Sequence, residues 1–192
     1  MKGLNIFLAD GFEDIEALAV CDVLRRSGLE VNLVSITDSL NVCSSHGVMV
    51  LSDKKWEDCN FTLNYLSERD VMIFPGGMPG ARTLSNDASL ISHLQEHYAQ
   101  GGAVAAICAA PGLVLSQLND IEGKYMTCFD GFETGIISAG GIFVRRAAVR
   151  DGRIVTGRSA GYAVEFGLTI LKMVLGEDAS KKVQDAMLLK VE

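Results

Sequence analysis

Residues 103–112 read Ala103-Val-Ala-Ala-Ile-Cys108-Ala-Ala-Pro-Gly112. The five apolar residues 103 to 107 predict a strand buried on both faces. Cys108 follows, then small residues, and the apolar run from Leu113 to Leu118 predicts a helix. Strand, nucleophile-type side chain, small residues and helix is the layout of a nucleophile elbow, whose sharp turn needs neighbours without bulky side chains. A thiol there would sit at a helix N-terminus, where free N–H groups and the macrodipole favour thiolate. The segment equally fits a buried structural cysteine, because cysteine is among the most buried residue types.

Upstream, Asp70 to Phe74 predicts a second buried strand, which breaks into the loop Pro75-Gly-Gly-Met-Pro-Gly80. A helix over about 87–100 leads from there to Cys108's strand. Gly3 to Ala9 predicts the first strand, with Asp10-Gly11-Phe12 as its turn. A helix over Glu13 to Arg26 comes next, with Gly28 placed to end it. Val31 to Ile36 predicts another strand, and 41–51 a short strand pair around Ser44-Ser-His-Gly47. Residues 53–67, with Trp56 and Phe61, predict a loop or short helix. Downstream, 121–157 predicts short strands with a hairpin at Asp151-Gly152. Ser159 is placed to cap a long helix ending at Gly176, and a shorter helix covers about 177–187.

Buried strands alternating with helices predict one α/β domain over 1–192 with a mostly parallel sheet covered on both faces. Ligands in such folds bind beyond the carboxyl ends of the strands. Those ends are Asp10-Gly11, Pro75-Gly-Gly77 and Cys108, so three features are expected at one crevice.

The composition fits a compact α/β protein, with 48% hydrophobic residues and 20 Gly against 3 Pro. A net charge of -7 gives no support to a nucleic-acid or anionic-membrane partner. The N-terminal run reads as a strand, not a signal peptide, and no apolar run reaches membrane-spanning length. Cysteines 21, 43, 59, 108 and 128 form no C-x-x-C pair, so reduced thiols in the cytoplasm are expected and a metal site is not.

On a helical wheel, Ala17, Ala19, Val20, Cys21, Val23 and Leu24 form the apolar stripe of the first helix, and Glu16 falls inside it. A carboxylate on a core-facing stripe must be paired or hold its proton. Glu16 is therefore either a proton carrier close to Cys108 or a first-turn acid satisfied by free N–H groups. Ile15 and Leu18 stand on the opposite, charged face, which predicts a homodimer contact.

A cysteine hydrolase usually pairs its thiolate with a histidine. The three histidines, His46, His93 and His97, all precede Cys108, so the order cysteine, histidine, acid of glutaminase-type amidotransferases is impossible. His93 and His97 stand four apart on one helix and are read as a solvated pair. His46, in the hairpin turn, is read as a surface or interface residue. The N–H groups of Gly77 and Ala109 could form an oxyanion hole, or the Gly76-Gly77 peptide could serve only a tight turn.

Ala9-Asp-Gly-Phe-Glu-Asp-Ile-Glu16, Phe74-Pro-Gly-Gly-Met-Pro-Gly-Ala81, Ala105-Ala-Ile-Cys-Ala-Ala-Pro111 and Thr156-Gly-Arg-Ser-Ala-Gly161 together resemble the ThiJ/PfpI superfamily, especially its Parkinson-disease deglycase-like branch. The resemblance implies a flavodoxin-like three-layer sandwich of the class I glutamine amidotransferase-like type, and a homodimer built on the first helix, with Ile15, Leu18, Arg26 and His46 near the interface. It implies an oxidation-prone Cys108 hydrogen-bonded to a protonated Glu16. Gly77 and Ala109 match the family's backbone donors, and Gly76, Glu13, Cys128 and Ser159 are expected in the pocket. Members are described as glutathione-independent glyoxalases, as deglycases, as redox-regulated chaperones and, in the PfpI branch, as peptidases.

Two departures shape the expectation. PfpI-type peptidases carry histidine after the cysteine, where this chain has Ala109, which speaks against peptidase activity. Cys128 stands where the deglycase-like branch often has histidine, and it either packs or pairs with an oxidised Cys108. His46 falls where relatives commonly carry arginine. The sequence therefore leads to a cysteine-dependent enzyme acting on small aldehydes, with no cofactor. A redox sensor or chaperone responding to an oxidant is the alternative, and a binding module without chemistry the third reading.

Overall fold

The computed structural model describes residues 1–59 and 66–189. The part of the expected 53–67 segment that contains Phe61 lies outside them. The first half of the chain runs β1 (Leu4–Leu8), α1 (Asp14–Arg26), β2 (Val31–Ser35), β3 (Asn41–Cys43), β4 (Met49–Leu51), β5 (Lys54–Lys55), β6 (Val71–Phe74), α2 (Gly80–Asn86) and α3 (Ala88–Ala99). The second half runs β7 (Ala103–Ile107), α4 (Ala110–Leu113), β8 (Tyr125–Met126), α5 (Glu133–Ser138), β9 (Ile142–Phe143), β10 (Ala148–Asp151), β11 (Ile154–Gly157), α6 (Ala163–Leu175) and α7 (Glu177–Ala186).

The main sheet has seven strands in the order β10-β11-β7-β6-β1-β2-β5. Its pairings are parallel except for β10 with β11. Side chains alternate across the pleat. Leu4, Ile6 and Leu8 of β1, with Ala103, Ala105 and Ile107 of β7, join one core with α1 and α6. Phe7, Val104 and Ala106 join the other core with α3 and α4. A sheet buried on both faces between two helical layers is the three-layer sandwich expected from the sequence. Gly167 lets α6 close on α1, since a Cβ there would stand 3.2 Å from Val23.

The α1 stripe is buried with Glu16 among Ala17, Val20, Cys21, Val23 and Leu24, while Ala19, at its margin, is half-buried. Gly28 takes φ 83 just past the helix, and its N–H caps the Arg25 carbonyl at 3.0 Å. β3 and β4 form the expected antiparallel pair. Its Ser45 N–H donates to Phe12 O at 2.8 Å, and Cys43 O accepts from the Gly11 N–H at 2.8 Å, which ties the hairpin to the turn before α1.

Several elements depart from the sequence reading. The helix after Cys108 begins at Ala110 and not at Leu113, because Pro111 is tolerated in a first turn whose N–H groups have no partner anyway. It is a single turn followed by a 3-10 turn at Leu115–Gln117. α2 and α5 occupy stretches read as loop and short strands; both are short and contain glycine, which leaves little periodicity to see. Ser159 does not cap the last long helix. Its backbone is extended and its side chain makes no cap bond, because a 3-10 turn at Ala160–Tyr162 intervenes before α6. His97 is not solvated. It is fully buried, and its Nε2 lies 3.0 Å from both the Asp70 and Ala103 carbonyls, in space left by Gly102, whose Cβ would come within 2.2 Å of the ring. Burial pushes its pKa down to about 4, so it holds those carbonyls as a neutral ring.

Candidate active site

β7 ends at Cys108, which takes φ 64, in the left-handed region that residues other than glycine rarely occupy. Such a conformation costs on the order of 1–3 kcal/mol and persists only where its surroundings hold it. The Cys108 N–H donates to Gly157 O at 3.0 Å, and Cys108 O accepts from the Phe129 N–H at 2.8 Å. The elbow predicted from small neighbours is therefore present, and Cys108 is half-buried at its tip.

Glu16 reaches the same point from α1 and is 1% exposed. Its Oε2 accepts from the Gly76 N–H at 2.8 Å, whereas its buried Oε1 has no hydrogen-bond partner within normal distance and angle among the described residues. The free N–H groups of the first turn do not explain this acid: its carboxyl bonds the Gly76 N–H of another segment, and the N-cap bond of the helix is made by Glu13, which accepts from the Glu16 N–H at 2.7 Å. Glu13 thus supports the site by capping the helix that carries Glu16.

Gly76 and Gly77 have distinct roles. A Cβ on Gly76 would stand 2.6 Å from Cys108 Cβ and 2.7 Å from Glu16 Oε2, so only glycine lets the loop approach the pair. Gly77 has φ 87 and leaves no room either, with Glu13 N at 2.4 Å from a notional Cβ. The N–H groups of Ala109 and Gly77 are directed at the Cys108 sulfur and favour its charged form.

Burial raises the Glu16 pKa to about 7, against the opposing pull of the Cys108 thiol and the Gly76 N–H. Burial first, and then the Glu16 charge, push the Cys108 thiol up to about 12, with the Ala109 and Gly77 N–H groups pulling down. This corrects the expectation of a ready thiolate at a helix N-terminus. α4 is only four residues long and offers little dipole, while the adjacent carboxylate opposes a second negative charge. The pair therefore keeps one proton between its two titration steps, and a thiolate forms when that proton rests on Glu16.

Of the remaining candidates, Cys128 is fully buried in the α3/α4-side core, and burial drives its thiol up to about 12, as for a packing residue. Its thiol is free, as are those of the other four cysteines. Ser159 is half-buried, and it is the N–H of its neighbour Ala160 that faces the Glu16 carboxyl. Ile15 and Leu18 are exposed at 56% and 36%, and Met49 and Leu51 of β4 at 61% and 67%. Arg26 lies at the far end of α1, paired with Asp22 at 2.7 Å. His46 is exposed, with Nδ1 at 2.5 Å from Asp14 Oδ2, and its pKa is raised by that hydrogen bond. Glu13, Asp14 and His46 could offer a cation three ligand atoms within 4.8 Å of one another, but each is already engaged, Asp14 also by the Ser44 hydroxyl.

Two participants escaped the sequence reading. Asp14 couples α1 to the hairpin through Ser44 and His46, a contact between segments some thirty residues apart that no local pattern reveals. Arg158 follows Gly157 at the elbow; its Nη2 donates to Asp130 Oδ1 at 2.6 Å while its buried Nη1 has no partner among the described residues. Its place inside the motif Thr156–Gly161 was the available signal.

The DJ-1/PfpI family model matches residues 2–173. Protein DJ-1 homolog A of Arabidopsis thaliana is 32% identical over 98% of the chain, which corresponds to 47% of that protein. The chain spans about half the length of this relative and 42% of its homolog B. The Parkinson disease protein 7 homolog of Danio rerio is 30% identical, with 98% of each chain covered. Among solved structures, a DJ-1 superfamily protein of Salmonella typhimurium matches with a TM-score of 0.87 at 26% identity, and oxidised DJ-1 of Toxoplasma gondii with 0.86 at 28%, each covering 100% of both chains.

Proposed function

The chain belongs to the DJ-1/PfpI family, and from that premise we propose that it is a cysteine-dependent enzyme acting on small 2-oxoaldehydes or their adducts, of the glutathione-independent glyoxalase or deglycase type. The observation that carries this reading is the Glu16 carboxyl, raised to about 7, set beside the Cys108 thiol at a strained elbow. A carboxyl with that value is suited to give and take a proton near neutral pH.

Cys108 sulfur attacks the aldehyde carbon, a C–S bond forms, and the carbonyl π electrons move to oxygen. The N–H groups of Gly77 and Ala109 hold that oxygen as it gains charge. Glu16, which has taken the thiol's proton, passes it to that oxygen; as a carboxylate it then removes the proton from the former aldehyde carbon and returns one to the neighbouring carbon as the ketone becomes an alcohol. The aldehyde carbon is oxidised and the ketone carbon reduced, so no external oxidant is needed. Water then cleaves the thioester, releasing a 2-hydroxy acid and restoring the thiol. With no histidine supplied at Cys128, Glu16 and water carry every proton transfer, which suits modest turnover.

The test is lactate formation from methylglyoxal. The wild type is expected to produce lactate, and Cys108→Ser to lose at least about a hundredfold in rate. Lactate formation that persists in Cys108→Ser, or none by the wild type, overturns the proposal.

The unpartnered Glu16 Oε1 and the solved oxidised relative favour a second reading, a redox-sensing protein or chaperone regulated at Cys108. Two equivalents of peroxide would convert the thiol to a sulfinate with release of water, and a protonated Glu16 would donate to the new oxygens. Mild peroxide should then add two oxygens to Cys108 selectively; uniform oxidation of the five thiols speaks against it. On either reading the partners are a small aldehyde or oxidant and a second copy of the chain, in the cytoplasm. Among the described residues no helix is long and apolar enough to cross a membrane.

A further inference from the structure

Three large apolar side chains stay exposed on the three loops that serve the thiol. Met78, 47% exposed, follows Gly77, whose N–H points at the Cys108 sulfur. Phe129, 46% exposed, donates its own N–H to Cys108 O at 2.8 Å. Tyr162, 43% exposed, closes the 3-10 turn begun by Ala160, whose N–H faces Glu16. Single exposed apolar residues are ordinary. Three stand on separate segments, each within two residues in sequence of a group that contacts the Cys108–Glu16 pair.

We infer that Met78, Phe129 and Tyr162 form an apolar collar that selects 2-oxoaldehydes carrying a bulky apolar group, above all an aryl group, over glyoxal. This rests on the aldehyde reading above. With the aldehyde carbon at the sulfur, its oxygen toward the Gly77 and Ala109 N–H groups and its hydrogen toward Glu16, the remaining substituent has one direction left. It points outward, past the half-buried thiol, to the rim where the collar stands. Glyoxal places only a second aldehyde there and gains no apolar burial, whereas a phenyl ring covers area on all three side chains.

The experiment compares kcat/KM for phenylglyoxal and glyoxal in the wild type and in the triple variant Met78→Ser, Phe129→Ser, Tyr162→Ser. Intrinsic aldehyde reactivity is common to both proteins, so the change in the ratio isolates the collar. The ratio is expected to fall on the order of tenfold in the variant, the effect of one lost apolar contact of moderate size. In a second arm, Cys108 is alkylated with phenacyl bromide and with iodoacetamide, and the rate ratio is expected to fall in the same way. Unchanged ratios in both arms overturn the collar. Absence of turnover with both aldehydes, together with a ratio that still falls in the alkylation arm, overturns the aldehyde reading and leaves the collar standing.

Discussion

Glu16 Oε2 accepts the Gly76 N–H at 2.8 Å, and this bond holds a core-facing carboxyl against the reactive thiol. The Glu16 charge is the second largest reason, after burial, that the Cys108 thiol is raised. In Glu16→Gln that charge is gone, so the thiol pKa falls. Iodoacetamide should alkylate Cys108 faster at pH 8, on the order of tenfold for each pKa unit recovered, while aldehyde turnover drops because the proton carrier is lost. Slower alkylation in Glu16→Gln would contradict the electrostatic account.

Gly76 has an ordinary φ, so its substitution acts by crowding alone. A methyl group there meets Cys108 Cβ at 2.6 Å and Glu16 Oε2 at 2.7 Å. Gly76→Ala should destabilise by about 1–3 kcal/mol, the usual range for overpacking. Displacing the pair should lower kcat/KM roughly a hundredfold. Thermal unfolding and a turnover assay on the same preparation check both; wild-type activity would show that the approach of this loop to the pair has no catalytic consequence.

The Glu16 shift also makes stability depend on pH. Its pKa is about 7 in the folded chain against an ordinary 4.5, so the native state binds more protons between those values. The stabilisation is complete below about 4.5 and is lost as pH rises through about 7. The full swing is roughly 3 kcal/mol at most. Glu16→Gln lacks it, so the variant's Tm relative to wild type should rise between pH 5 and pH 8. Parallel curves across that interval would show that Glu16 is not protonated in the folded state near neutrality.

Ile15 and Leu18 on α1 are exposed, as are Val48, Met49 and Leu51 on the hairpin that Asp14 ties to α1, and we propose that these apolar residues pair two copies. Sedimentation velocity at micromolar concentration should show a dimer for the wild type and a monomer for Ile15→Glu with Leu18→Glu, since paired carboxylates at such a contact lose hydration without gaining partners. A monomeric wild type would remove the dimer.

What the sequence disclosed depended on how local each signal was. The runs at Leu4–Leu8, Val71–Phe74 and Ala103–Ile107 are long enough to identify buried strands. The misplaced Glu16 is visible on one helical wheel. α2 and α5 were hidden because six or seven residues with a glycine show too little period. The burial of His97 was hidden because its partners are the carbonyls of Asp70, in the turn before β6, and of Ala103, at the start of β7. The thiol's raised pKa is hidden for the same reason: the helix dipole is a local cue, whereas burial, the larger cause, and the opposing carboxylate from more than ninety residues upstream come only with the fold.

The Cys108 N–H rests on Gly157 O, and the turn that follows brings the Ala160 N–H to Glu16. β11 must therefore dock on β7 before the elbow is held, although Cys108 is synthesised about fifty residues earlier. Until the ribosome has delivered that strand, the nascent chain lacks the Gly157 carbonyl that holds the Cys108 N–H and the Ala160 N–H that faces Glu16. Chemical competence is thus acquired late in biosynthesis, and a chain truncated before Gly157 would carry the cysteine but not the site.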